Sequence, residues 1–171
     1  MSLTFVTGGA RSGKSAHALR LALAANAPVA LIATAEARDA EMRERIAAHR
    51  RERPPSWRTV EEPLDLAGAL RALTAAEYAV IDCLSLWVSN LLEHQAAESI
   101  AALASETAAL AAAHPGGCVA VSSEVGMGIV PDNALARSYR DVLGRVNAIW
   151  AEAADDAVLA ISGRVLRLER V

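Results

Sequence analysis

The eight residues Gly8-Gly9-Ala10-Arg11-Ser12-Gly13-Lys14-Ser15 constrain this chain more than any other stretch. They match G-x-x-x-x-G-K-S and stand where that pattern has a mechanism, after the β-rich run Leu3 to Thr7 and before the helical run Ala16 to Ala25. Glycines let successive backbone N–H groups turn inward around phosphate oxygens, and the helix N-terminus adds partial positive charge. In such a phosphate-binding loop Lys14 reaches the β- and γ-phosphates, and the Ser15 hydroxyl can ligate Mg2+.

The rest of the chain repeats the alternation of short strand and longer helix. Val29 to Thr34, Tyr78 to Asp82, Cys118 to Ser122 and Ala157 to Ile161 are continuous apolar runs, the mark of strands buried on both faces. They predict an α/β fold: a mostly parallel sheet covered by helices on each face. Val165 to Leu168 follows Ser162-Gly163-Arg164, which turns the chain into an edge hairpin. Helical patterns cover Glu36 to Arg53, ended by Pro54-Pro55, and Ala96 to Ala113, ended by His114-Pro115-Gly116-Gly117. A third places Leu135, Tyr139, Val142, Val146 and Ile149 on one core-facing stripe, ending before Asp155. With no internal repeat or linker, residues 1–171 are expected to form one domain.

Composition narrows the function. The formal charge of −3 supplies no global field for gathering nucleic acid, so any anion site must be local. Cys83 and Cys118 belong to no metal-ligand or C-x-x-C pattern and are expected to be reduced thiols, which favours a cytoplasmic setting. The apolar stretch from Leu21 to Ala35 is broken by Asn26 and Pro28, so no membrane span is expected.

A nucleotide held on such a loop needs an acid to orient its magnesium. Asp82 ends the apolar run Tyr78 to Ile81 and is the expected Walker-B-type carboxylate, although Asp is also a common helix N-cap. Glu124, after the run Cys118 to Ser122, should stand on the same rim of the sheet, either there for chemistry or as a solvated loop acid. No N-K-x-D motif occurs, which argues against a signalling GTPase.

One histidine stands apart. His49 lies in the last turns of the Glu36 to Arg53 pattern, on the side of Met42 and Ile46, with Arg45, Arg50, Arg51 and Arg53 around it. Such a run serves equally as a solvated helix face with Glu/Arg pairs. The chemical reading is that the arginines hold phosphates while His49, as neutral imidazole, attacks one of them. His17, in the helix behind the loop, and His94 and His114, in loop-like surroundings, have no comparable cluster and are expected to be structural.

Taken together, these segments resemble the bifunctional adenosylcobinamide kinase/adenosylcobinamide-phosphate guanylyltransferases of cobalamin biosynthesis. The likeness runs nearly end to end: T-G-G-A-R-S-G-K-S at Thr7 to Ser15, I-A-T at Ile32 to Thr34, the His49 segment leading to Trp57-Arg58-Thr59, Asp82-Cys83 with Asn90-Leu91-Leu92, and E-V-G-M-G-I-V-P at Glu124 to Pro131. It continues through Asp132-Asn133, Leu135-Ala136-Arg137, Arg140-Asp141 and Gly144-Arg145-Val146-Asn147. The resemblance implies a RecA-like P-loop fold and a cytoplasmic homotrimer. It also implies an enzyme that phosphorylates adenosylcobinamide with ATP or GTP and Mg2+, then transfers GMP from GTP to adenosylcobinamide-phosphate through a covalent His49 adduct. By the same likeness Gly8 to Ser15, Ala33-Thr34-Ala35, Arg50-Arg51-Glu52-Arg53, Glu61 and Asp82 bind nucleotide, with Ser15 and Asp82 on the metal. Members often carry Glu at the position of Asp82, and Arg50-Arg51-Glu52-Arg53 is more basic than the usual Lys-Asp-Gly-Arg type of segment. The rival readings are a single-activity P-loop kinase for another small alcohol and a nucleotide-binding regulatory module.

Overall fold

A computed structural model describes residues 2–51 and 53–170, with the backbone alone of Arg45. Its elements alternate as expected. Strands β1 (Leu3–Gly8), β2 (Val29–Ala33), β3 (Arg58–Glu61), β4 (Tyr78–Asp82), β5 (Cys118–Val121), β6 (Asp156–Ile161) and β7 (Arg164–Leu168) form one sheet in the order β3-β2-β4-β5-β1-β6-β7. Every neighbouring pair is parallel except β6 and β7, the antiparallel hairpin. Ser162 and Gly163 both have positive φ, 51° and 76°, the backbone twist that a two-residue hairpin turn needs.

Because side chains alternate across a strand, the apolar runs feed two cores. Phe5, Ile32, Ala79, Ile81 and Ala120 face α3 (Leu66–Arg71), α4 (Leu84–His94), α5 (Ala97–Ala113) and α6 (Ala134–Ala153), where Trp87 and Trp150 are buried. Val6, Leu31, Val80, Val119 and Val121 face α1 (Lys14–Ala24) through Ala18 and Ala22. Helices therefore cover both faces, as the doubly apolar strands require.

The remaining helix, α2 (Ala40–Arg51), contributes no residue to either buried cluster. Its partly buried side chains instead line cavities beside the phosphate-binding loop. It ends three residues before Pro54, as the two prolines demand.

Several sequence expectations shift in detail. Leu135 is 70% exposed; Tyr139, Val142 and Ile149 are partly buried against the core as expected, and the fully buried line of α6 runs through Leu143, Val146, Asn147 and Trp150. A polar residue, Asn147, occupies that face because Ser122 Oγ donates to its Oδ1 at 2.6 Å while its Nδ2 donates to the Ser123 carbonyl at 3.0 Å. His94 is not in a loop but is the last residue of α4. His114 is a buried C-cap of α5, its Nε2 2.7 Å from the Glu77 carbonyl oxygen.

Candidate active site

The loop at residues 8–15 joins β1 to α1, with Gly13 at the helix N-cap in a left-handed conformation, φ 97°. A side chain there would be strained, and its Cβ would come 3.2 Å from Gly163 Cα. A Cβ on Gly8 would sit 2.4 Å from the Ala160 carbonyl oxygen, so glycine is a packing requirement at that end of the loop too. The Gly163 N–H donates to the Ser12 carbonyl at 2.9 Å, and the β6–β7 turn thereby braces the loop from outside. Lys14 Nζ donates to the Gly9 carbonyl at 3.0 Å, folding the lysine back over its own loop.

Two cavities flank α2. The first, about 890 Å³, is lined by Lys14, Ser15, Ala33, Ala35, His49, Arg50, Arg53, Glu61 and Asp82, among others. The second, about 1110 Å³, is lined by Ala10 to Ser15 of the loop and by Glu41, Glu44, His49 and Arg51 of α2. Residues far apart in sequence, Lys14 and Asp82 among them, are thus gathered at the carboxyl ends of the parallel strands, where such sheets bind ligands. His49 lines both spaces, at the point where the last turn of α2 passes the loop.

Charges in the first cavity are organised in pairs. Arg53 Nη2 lies 3.3 Å from Asp82 Oδ2, with both side chains largely buried, and Arg50 pairs with Glu61. Of the arginines that the sequence places around His49, Arg50 and Arg53 reach the first cavity and Arg51 the second. Glu52 and the side chain of Arg45 lie outside the described residues. Among the described residues no group of three or more His, Cys, Asp or Glu side chains is placed to hold a metal ion. A Ser hydroxyl and one carboxylate nevertheless suit Mg2+, which keeps most of its waters and takes the rest of its ligands from substrate phosphates.

Thr34 occupies a different position from its neighbours Ala33 and Ala35. It is fully buried; its Oγ1 donates to the Cys83 carbonyl at 2.7 Å and accepts from the Cys83 N–H at 2.9 Å. Asn90 Nδ2 donates to the Thr34 carbonyl at 2.9 Å and to that of Pro63 at 3.2 Å. This lock ties the end of β2 to the end of β4 and so fixes Asp82.

Glu124 does stand on the expected rim, its N–H donating to the Gly8 carbonyl at 3.1 Å, and its carboxylate accepts from the Gly126 N–H at 2.5 Å. It is not among the residues lining either cavity.

Sequence reasoning missed a polar wall of the first cavity formed by Cys83, Ser85, Ser123 and Tyr139. Serines carry no spacing signal, and Tyr139 reads as core by periodicity; it is indeed partly buried, and its hydroxyl donates to the Ser85 carbonyl at 3.1 Å. Burial pushes the Tyr139 phenol up to about 12, with Cys83 adding to the shift. Burial, then the nearby Asp82 charge, also raises the Cys83 thiol, so it stands as a neutral S–H. Both cysteines are free thiols.

Residues 4–168 match the model of a protein family described as cobinamide kinase / cobinamide phosphate guanyltransferase. The chain is 40% identical over 165 residues to a bifunctional adenosylcobalamin biosynthesis protein of Pseudomonas aeruginosa, covering 96% of this chain and 95% of that protein. It is 41% identical over 177 residues to one of Escherichia coli and 43% over 178 to one of Salmonella typhimurium, each covering 94% of this chain and 96% of the relative. Among solved structures, the flagellar accessory protein FlaH of Methanocaldococcus jannaschii superposes with a TM-score of 0.51 at 12% identity, over 96% of this chain and 74% of that one. That last likeness concerns the fold alone.

Proposed function

The chain belongs to the cobinamide kinase / cobinamide phosphate guanyltransferase family, and we propose that its two transfers share the cavities on either side of α2. The observation that carries this reading is the position of His49, which faces the space containing Lys14, Ser15 and Asp82 and also the space over the phosphate-binding loop.

In the first transfer the aminopropanol hydroxyl of adenosylcobinamide attacks the γ-phosphorus of ATP or GTP. The new O–P bond forms as the bond to the nucleoside diphosphate breaks, and the hydroxyl proton is released. Gly8 to Ser15 cradle the phosphates, and Lys14 moves from the Gly9 carbonyl onto the transferring group. Ser15 and Asp82 would hold Mg2+, which neutralises phosphate charge when bound. Ala33 to Ala35 and Glu61 border the nucleotide, with Thr34 acting through its hold on Cys83.

In the second transfer a ring nitrogen of His49 attacks the α-phosphorus of GTP, and the bond to the departing pyrophosphate breaks. Arg50, Arg51 and Arg53 border the same cavities and handle the phosphates, with Glu52 part of the same nucleotide-binding stretch of sequence. A phosphate oxygen of adenosylcobinamide-phosphate then attacks the same phosphorus, giving adenosylcobinamide-GDP and returning His49 as free imidazole. Residues 1–171 act as one cytoplasmic domain in a homotrimer, with no nucleic-acid partner. Among the described residues no helix is long and apolar enough to cross a membrane.

Incubating the protein with GTP and adenosylcobinamide tests this directly. Mass spectrometry should find adenosylcobinamide-phosphate first and adenosylcobinamide-GDP later. Phosphorylation without any guanylylated product would leave the single-activity kinase reading, and neither product would leave the regulatory module.

A further inference from the structure

The polar wall of the first cavity has a direction. Ser85 Oγ donates to Ser123 Oγ at 3.1 Å, which commits the only proton of Ser85. Cys83 Sγ lies 3.1 Å from Ser85 Oγ and extends the same polar row, which Ser123 ends. Ser123 Oγ accepts from Ser85 and, as a rotatable hydroxyl lining the cavity shared with Lys14 and Asp82, can turn its own O–H into that space.

The wall is also held rigidly from behind. Tyr139 bonds the Ser85 carbonyl, Asn147 bonds the Ser123 carbonyl at 3.0 Å, and the Ser122 hydroxyl bonds Asn147 at 2.6 Å. The flanking N–H groups of Ser122 and Glu124 bond Val6 and Gly8 of β1, keeping Ser123 beside the phosphate-binding loop. Strand β5, which leads into Ser123, lies between β1, which carries that loop, and β4, which carries Asp82. The Asn147 bond to its carbonyl and the two flanking N–H bonds to β1 fix the Ser123 backbone, and with it the place of its hydroxyl.

From this geometry we infer that Ser123 is a further catalytic residue of the phosphoryl transfer, donating its hydroxyl proton in a hydrogen bond to a non-bridging oxygen of the γ-phosphoryl group in transit. A donor aimed into a cavity fits a ligand rich in lone pairs, and the γ-phosphoryl oxygens gain from a fixed donor as charge redistributes. Ser123 keeps its proton throughout; no bond to it is made or broken. The inference rests on the kinase reading given above.

The test compares Ser123→Thr with Ser123→Val, which differ in a hydroxyl against a methyl of nearly equal size, in the phosphorylation of adenosylcobinamide by GTP. Ser123→Thr should keep kcat within about threefold of wild type, whereas Ser123→Val should lose roughly 10- to 100-fold in kcat with the KM for GTP little changed. A purely structural serine would move both variants alike or shift KM and melting temperature instead. Equal kcat for the two variants, beside an active wild type, overturns the inference and leaves the kinase reading intact. A wild type that forms no adenosylcobinamide-phosphate overturns the kinase reading itself. Should Ser123→Val fail to fold, Ser123→Ala replaces it, with the same loss of kcat expected and an unchanged kcat contradicting the role.

Discussion

Arg53 and Asp82 meet at 3.3 Å in a largely buried pair, their side chains 10% and 16% exposed, so the chain just beyond α2 and the acid at the end of β4 hold one another. The arginine that would meet substrate phosphate and the carboxylate that would steady magnesium are therefore coupled.

Asp82→Asn keeps the shape of the side chain and loses its charge. Magnesium titrated against phosphorylation should show the half-saturating concentration raised roughly tenfold, with kcat reduced by at least as much. An unchanged metal dependence and turnover would reduce Asp82 to a partner of Arg53.

Lys14→Ala removes a half-buried cation and touches no part of either core. Its melting temperature should match wild type, while phosphorylation falls by roughly 100-fold or more. Near-normal turnover in a folded Lys14→Ala protein would refute a catalytic loop.

Thr34→Val is expected to act differently from substitutions at the cavity surface. The Thr34 hydroxyl is spent on the Cys83 backbone, so the cost should appear as about 1–3 kcal/mol of stability from an orphaned buried N–H and carbonyl. Equilibrium denaturation checks this. A variant as stable as wild type but with weakened nucleotide binding would show that Thr34 touches the ligand itself.

At the opposite end of the sheet Glu77 accepts from Arg58 Nε at 2.7 Å, from Arg58 Nη2 at 3.0 Å and from the Thr74 N–H at 2.7 Å. The Arg58 guanidinium first, then the Thr74 amide, pull its carboxyl down to about 2 from an ordinary value of 4.5. Between those values the unfolded chain binds more protons than the folded one, so stability rises with pH. The stabilisation is fully present above about pH 4.5 and is lost as pH falls toward 2. Glu77→Gln should cost on the order of 1 kcal/mol at neutral pH, the partly exposed Arg58 limiting the figure, and the gap from wild type should close through that window. A constant gap down to pH 2 would contradict the assignment.

How far the sequence could be read follows from the kind of signal each residue leaves. Buried parallel strands announce themselves as apolar runs, and the loop at residues 8–15 has its own spacing, so the sheet and phosphate cradle were legible. Strand β3 was not: Arg58-Thr59-Val60-Glu61 is a polar edge strand whose pairing with β2 leaves no apolar run. On α6 the apolar periodicity located Tyr139, Val142, Val146 and Ile149 at the core but not Leu135, which is exposed, nor Asn147, which enters the buried face through hydrogen bonds that a count of apolar residues cannot register. His49 stood out through its arginines, but its position between two cavities depends on where α2 crosses the loop, a tertiary property. Ser85 and Ser123 gain their meaning only from packing between strands and helices distant in sequence.

The covalent role proposed for His49 is tested most directly by incubating the wild type and His49→Ala with GTP labelled at the α-phosphate, denaturing, and measuring label retained on protein. Wild type should carry close to one label per chain, released by acid and stable to alkali as a phosphorus–nitrogen bond requires. His49→Ala should carry none while still phosphorylating adenosylcobinamide at a detectable rate, since that step uses the loop and Lys14. Stoichiometric label persisting on folded His49→Ala protein would place the nucleophile elsewhere and contradict the account.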